Sequence, residues 1–480
     1  MNGPSPFALL EGPRPAPLLG WRGNLVRFVL DPIGYMTPLA ERYGSVVPLA
    51  SGGGGPVFIR EAERGLVFAF GPACFQAVST QMTVFHSMRV AGPKESPAYT
   101  TLTSGLFSMN EDKHRRQRRA IQPAFHRARL EAYHATMVAL TERTLARMQV
   151  GDTCDLVAAM TPLTLAVANK TLFGLETTPD TLSIGEQIQA VLGLSMSPAT
   201  LVPLNLPLTP RRRLVTTAAQ LEQELRAVIA GRRASAIDGD DILSSLLAAR
   251  DDPDADADTL SEDELVGQLF LLFLAGHDTS KNAIAWTLFL LVQHPRVLAD
   301  VLDELDRTLG GAPPRHDQLG SLVLLGRVIK ESLRLFPPAP FTGRMTAQAT
   351  ELQGVELPAR TEIIISPYCL HRDPELYADP LQFRPERWET LTRSPFEYAP
   401  FGAGPRTCIG SGFALLEVTT VIAMLLQRFG VELAPGACID RRTTVVMSPR
   451  QGMPMILRPA GTVAPVTRVR GNVHEMVALP

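Results

Sequence analysis

The chain has 480 residues, of which 45% are apolar and 20% charged. That composition supports a large core and excludes a disordered or collagen-like chain, despite 40 Pro and 37 Gly. A net charge of −2 gives no global attraction to nucleic acid or to an anionic membrane. The five cysteines (Cys74, Cys154, Cys369, Cys408, Cys438) are odd in number, far apart and without a CxxC, which rules out a disulfide framework or a zinc ribbon.

Length alone suggests about three domains or one unusually large fold. The N-terminus lacks the basic start and apolar core of a signal peptide, and prolines interrupt its first 44 residues. No run of about 18 apolar residues occurs, so the chain reads as soluble and cytoplasmic. From Ser45 to Phe70 the pattern turns β-like: VVPLA, a glycine turn at Gly52 to Gly55, then VFIR and LVFAF. From Glu111 to Gly311 nearly everything has helical period. Two loops break it, one Pro- and Arg-bearing (Pro203 to Arg213) and one acidic (Asp251 to Asp258).

Ser261 to Glu264 (SEDE) is a capping box, and the helical pattern behind it runs to His294, where Pro295 stops it. Such a helix is about 50 Å long, enough to cross a large domain. Its middle carries Ala275, Gly276, Asp278, Thr279 and Ser280, small and polar residues between strongly apolar turns. Buried polar groups are costly unless satisfied or used. The plain alternative is a solvated face with a threonine bonded back to the carbonyl four residues earlier.

A second helix spans about Gly320 to Leu335 and places Glu331 and Arg334 on one face. The β-like stretch TELQGVELPARTEIIIS follows. Next comes HRDPELYADPLQFRPERW, too long for a simple connection and rich in arginines that need acceptors.

The loop Phe401-Gly-Ala-Gly-Pro-Arg-Thr-Cys408-Ile-Gly410 precedes a helical segment, Phe413 to Gly430. Backbone N–H groups in a Gly-rich turn at a helix start favour thiolate over thiol. A lone thiolate suits a metal whose other ligands come from a macrocycle, namely haem iron. An inert cysteine beside a helix cap is the competing reading.

This loop resembles the cysteine-ligand loop of the cytochrome P-450 superfamily, with Phe401, Gly402, Gly404, Arg406, Cys408 and Gly410 at the expected spacing. Ala275 to Ser280 (AGHDTS) resembles that family's oxygen-activation motif, Glu331 to Arg334 its ExxR helix, and Phe383 to Trp388 (FRPERW) the source of a second arginine. His114 to Arg119, followed by Pro123 and Phe125, resembles the helix that holds a haem propionate. The motifs occur in family order from about Pro13 to Arg458. The resemblance implies a mainly α fold with small β-sheets: one triangular helix-rich prism over residues 1–460, with haem b between the long central helix and the cysteine-loop helix. Residues 461–480 would be a C-terminal tail.

It further implies that Cys408 is the axial ligand of the haem iron, with Phe401 beside the sulfur and Gly402 among the cofactor-binding residues. His114, Arg118, Arg344 and Arg406 would hold the propionates; His114 stands where many relatives have Trp. Ala275 and Gly276 would face the haem, and Asp278 and Thr279 would form the acid–alcohol pair that delivers protons during O2 use. Glu331, Arg334 and Arg387 would be a structural ion cluster. The substrate pocket would involve Leu271, Leu274, Ala275, Ala339, Phe341, Val446 and Met447, apolar enough for a hydrophobic organic molecule. Arg89 or Lys94 would attract a carboxylate or remain solvated. The implied activity is monooxygenation, inserting one atom of O2 by hydroxylation or epoxidation. The alternatives are a peroxide-driven or rearrangement reaction, or a haem-binding protein without turnover.

Lys113 to Arg129 contains seven Lys or Arg; a solvated helix face is the plain reading, and the resemblance makes Arg115, Arg116 and Arg119 candidates for meeting an acidic redox partner. Nucleic-acid binding is disfavoured because Phe125 is the only aromatic among them. No flavin or iron–sulfur domain fits in the remaining residues. Electrons ultimately from NAD(P)H would arrive through a ferredoxin and its reductase, and the chain is expected to act as a monomer, with no membrane contact.

Overall fold

The computed structural model describes residues 7, 10–55, 65–88, 92–93, 95–176, 179–195, 197–201, 204–235, 241–251 and 260–480. The central helix, Glu262–Gln293, sets the frame. The Ser261 hydroxyl accepts from Glu264 N–H, and the Glu264 carboxylate accepts from Ser261 N–H, closing the expected box. Glu262, Asp263 and Glu264 put negative charge at the positive helix end. Beyond the first turn, and outside the polar stretch from Gly276 to Asn282, nearly every face is apolar, which lets neighbours enclose the helix. It packs on Leu156–Phe173, Ser411–Arg428 and Val323–Leu335. Against the last of these, Trp286 stacks on Phe336 at 4.4 Å, and Thr287 Oγ1 lies 2.8 Å from Ser332 Oγ.

The sheets are small, as expected. The largest has the order Val46–Pro48, Leu66–Ala69, Glu362–Ile365, Thr342–Thr346, Phe85–Ser87; only the second and third strands pair in parallel. Within the expected β-like region VVPLA pairs with LVFAF, while VFIR (57–60) and residues 252–258 of the acidic loop lie outside the described residues. Phe429–Leu433 is a strand, so the cysteine-loop helix, Ser411–Arg428, ends two residues before the expected Gly430. Both Leu156–Phe173 and Ser411–Arg428 are long and apolar enough to cross a membrane, yet most of each is buried in the core. Residues 461–480, read as a tail, pack onto the body. Val473, Met476 and Val477 are fully buried, and Ala478 N–H donates to Leu381 O. Arg372 donates to Met476 O, and Gln293 to Thr467 O.

The long irregular stretch after the ExxR helix, Val323–Leu335, is held by Glu331, which is wholly buried. Its two carboxylate oxygens accept from Arg334 Nε and Nη2 (3.0 and 2.8 Å), Arg387 Nε (2.9 Å), Trp388 Nε1 (2.9 Å) and Arg384 N–H (3.1 Å). Arg334 Nη1 then donates to His371 O and Pro380 O, and its Nη2 to Gln382 O. Without Glu331 two buried guanidiniums would stand uncompensated, a loss of about 3–5 kcal/mol. Glu331→Ala is expected to give chains that melt early and carry little haem; a variant with full haem content per chain would refute this structural role.

Candidate active site

The cysteine loop turns on Gly402 and Gly404, both in the left-handed region (φ 69° and 68°) that disfavours other residues. Gly404 also lies so close to Ser79 that a Cβ would sit 2.5 Å from its carbonyl oxygen. Cys408 N–H closes the loop on Phe401 O at 2.8 Å. The cysteine keeps an open surface. Burial nevertheless pushes its thiol up, opposed by the Gly410 N–H and by the Arg118 charge. The expected thiolate bias of the loop is thus present but outweighed by desolvation.

Three guanidiniums and one imidazole gather beside this loop, from three separate parts of the chain. His114 and Arg118 lie on the basic helix, Glu111–Ile121; Arg344 lies on the strand Thr342–Thr346; Arg406 belongs to the loop itself. Burial, then Arg406, Arg118 and Arg344, push His114 down to about 4. Burial, then Arg344, push Arg406 down to about 9. Burial alone takes Arg344 to about 10. Among the described residues none of the four is paired with a carboxylate. Arg344 Nε and Arg406 Nε are buried without acceptors. Such a group is costly by itself and is matched by a dianion with several oxygens. The propionate edge of a haem has that chemistry, and Cys408, next to Arg118, would then be the group to meet the iron. The residues present therefore fit the cofactor.

On the central helix the Thr279 hydroxyl donates back to Ala275 O at 2.6 Å. Gly276 has open space where a Cβ would point. Asp278 is clamped: Lys281 Nζ lies 2.6 Å from Oδ1, Gln189 Nε2 donates to Oδ2 at 2.8 Å, and His277 Nε2 lies 3.5 Å from Oδ1. Burial raises the Asp278 pKa, but Lys281 with His277 and Gln189 outweighs it and holds the carboxyl below its usual range. His277, itself buried, contacts Thr164 Oγ1 through Nδ1 at 2.8 Å and is pushed down to about 4.

Leu274, Ala275, Phe341 and Val446 are half-buried, Ala339 is exposed and Leu271 is nearly buried. Met447 departs from its expected place. It is wholly buried, with its N–H donating to Pro338 O and its carbonyl accepting from Trp286 Nε1, so it builds core and not cavity wall. Arg89 and Lys94 lie outside the described residues. A separate groove of about 690 Å³ beside Asp31, Arg441 and Glu475 is away from this chemistry, and those three charges satisfy one another.

Sequence reasoning missed Lys281, Gln189 and Glu417. Lys281 was readable as an i, i+3 partner of Asp278; Gln189 comes from another helix, Pro179–Ser195, and had no signal. Glu417 was the lone acid in an apolar helix. It is buried facing Ser280, its Oε2 lacks a partner, and desolvation raises it to about 8. The fold therefore keeps a proton that the unfolded chain releases, and stability falls as pH rises from about 4.5 toward 8. Glu417→Gln should raise the melting temperature at pH 8 and much less at pH 5; a pH-independent difference would contradict this.

The Cytochrome P450 family model matches residues 12–455. The chain is 34% identical to cyclooctatin synthase of Streptomyces melanosporofaciens over 88% of its length and 93% of that protein. It is 35% identical to cyclooctat-9-en-7-ol 5-monooxygenase of the same organism and 33% identical to pentalenene oxygenase of Streptomyces avermitilis. Each of those two alignments covers 70% of this chain and 75% of the relative. Motif order, helix-rich fold and family match agree: the chain belongs to the cytochrome P450 family of haem-thiolate monooxygenases.

Proposed function

We propose that this enzyme oxidises an apolar cyclic terpenoid, with Cys408 as the protein ligand of its haem iron. The observation that carries the reading is the group of buried His114 and half-buried Arg118, Arg344 and Arg406 beside Cys408, without carboxylate partners among the described residues. These four would hold the propionates, Phe401 would limit solvation of the sulfur, and Gly402 would let the cofactor approach the backbone. Bound haem supplies the O2 chemistry. The substrate class rests on the names of the relatives and on Leu271, Leu274, Ala275, Phe341 and Val446, which offer apolar surface and no charge.

Asp278, held as an anion, is assigned to take up protons, and Thr279 to pass them on once its hydroxyl leaves Ala275 O. Arg115, Arg116 and Arg119 are exposed on the basic helix and offer a positive face to an acidic ferredoxin, fed from NAD(P)H by a reductase. The enzyme is assigned as a cytoplasmic monomer with one catalytic domain, which residues 461–480 complete by packing onto its body.

The reduced, CO-bound protein should show the long-wavelength Soret band of thiolate-ligated haem. Cys408→Ser should lose that band, and its persistence would remove Cys408 as ligand. Cyclic terpenes and terpene alcohols should shift the haem from low to high spin; a response restricted to polar acids would overturn the substrate class. In a reconstituted system Thr279→Ala should release more peroxide per product, and unchanged coupling would remove the role given to Thr279.

A further inference from the structure

Gln268 is fully buried on the central helix, one turn before Leu271. Its Oε1 accepts from Leu106 N–H at 3.1 Å, and its Nε2 donates to Gln117 Oε1 at 3.1 Å. One side chain therefore joins three pieces of chain: the central helix, the loop 103–110, and the basic helix that carries His114 and Arg118. The backbones beside it are pressed together. A Cβ on Gly105 would lie 2.6 Å from Gly267 O and 3.0 Å from Leu271 Cβ; one on Gly267 would lie 2.5 Å from Ser104 Oγ and 2.8 Å from Thr101 O. Neither glycine has a positive φ, so close approach is their purpose. The far end of the loop is tied to the cysteine loop, where Arg406 Nη2 donates to Met109 O (2.6 Å) and Asn110 Oδ1 (2.7 Å).

We propose that Gln268 is a positioning residue: it fixes the loop 103–110 as a rigid wall beside Leu271 and locks that wall to the helix bearing His114 and Arg118. A neutral amide does both tasks at any pH, since it offers an acceptor and a donor on one fork. An apolar replacement leaves the Leu106 N–H and Gln117 Oε1 unmatched in a dry site, and the loop moves to find water. A ligand that fills the cavity feels that movement; one that reaches only the iron does not. The ligand arm rests on the haem-thiolate reading.

The test compares imidazole with a bulky trityl imidazole, followed by the Soret shift of the haem-loaded protein, in wild type, Gln268→Met, Gln117→Leu and Gln117→Glu. In Gln268→Met the off-rate of the bulky ligand should rise about tenfold, the scale of one lost buried hydrogen bond, with imidazole changed less than twofold. Gln117→Leu should raise it too, and Gln117→Glu, which keeps the acceptor, should stay near wild type. Thr287→Val, a buried change elsewhere on the same helix, should leave both ligands unaffected. Hydrogen exchange of the peptide 103–110 in Gln268→Met gives a reading that needs no ligand. There the loop should lose protection while the rest of the central helix keeps it. Equal changes for both imidazoles, no change for the bulky one, or an unaltered loop would overturn the proposal. A wild-type protein without the thiolate Soret band would instead refute the haem ligand assignment and leave the exchange result to decide this one.

Discussion

Five N–H donors converge on the two carboxylate oxygens of Glu331, and the organisation of the last third of the chain depends on them. A carboxylate taken wholly out of water must recover its hydration from protein donors, or it would not ionise there. Here the recovery comes from one helix and from a segment some fifty residues later. The irregular stretch is therefore folded around a charge and not around an apolar face. Arg334 extends the arrangement by bonding three backbone carbonyls of that stretch. His371 extends it further: its Nε2 accepts from Ala399 N–H, its Nδ1 meets Arg334 O, and burial then the Arg334 charge push it down to about 3. The segment so braced leads directly into the cysteine loop.

The same logic runs with opposite sign at the site. Glu331 has more donors than a carboxylate ordinarily collects, whereas His114, Arg118, Arg344 and Arg406 are donors without an acid among them. A structural cluster closes its own charge balance, and a binding cluster leaves it open for the ligand to close. On the central helix Asp278 is closed again, held by a lysine on its own helix and by Gln189 from a second one. That clamp keeps the carboxyl ionised and ties its position to the Pro179–Ser195 helix.

Glycine acts in two ways around the cavity. In the cysteine loop Gly402 and Gly404 supply backbone angles that other residues resist. At Gly105 and Gly267 the angles are ordinary and the missing side chain lets a loop lie flat on the central helix. Those positions look alike in a sequence; only the neighbours separate them.

The amino-acid sequence by itself determined the local and ordered features. Ser261, Glu264 and Pro295 bound the central helix because capping and proline chemistry are local. The order of the Asp278–Thr279, Glu331–Arg334 and Cys408 motifs identified the family and the cofactor because each is a contiguous spacing of residues. What only tertiary structure decided is which distant groups meet. The terminal residues 461–480 showed no core pattern, yet they seal the body through Val473 and Met476. Met447 looked like cavity lining and is core, since its side chain is wholly enclosed in the main apolar cluster. Gln189 and Gln268 carried no signal, because an amide's worth depends wholly on the unmatched donors and acceptors that folding brings to it.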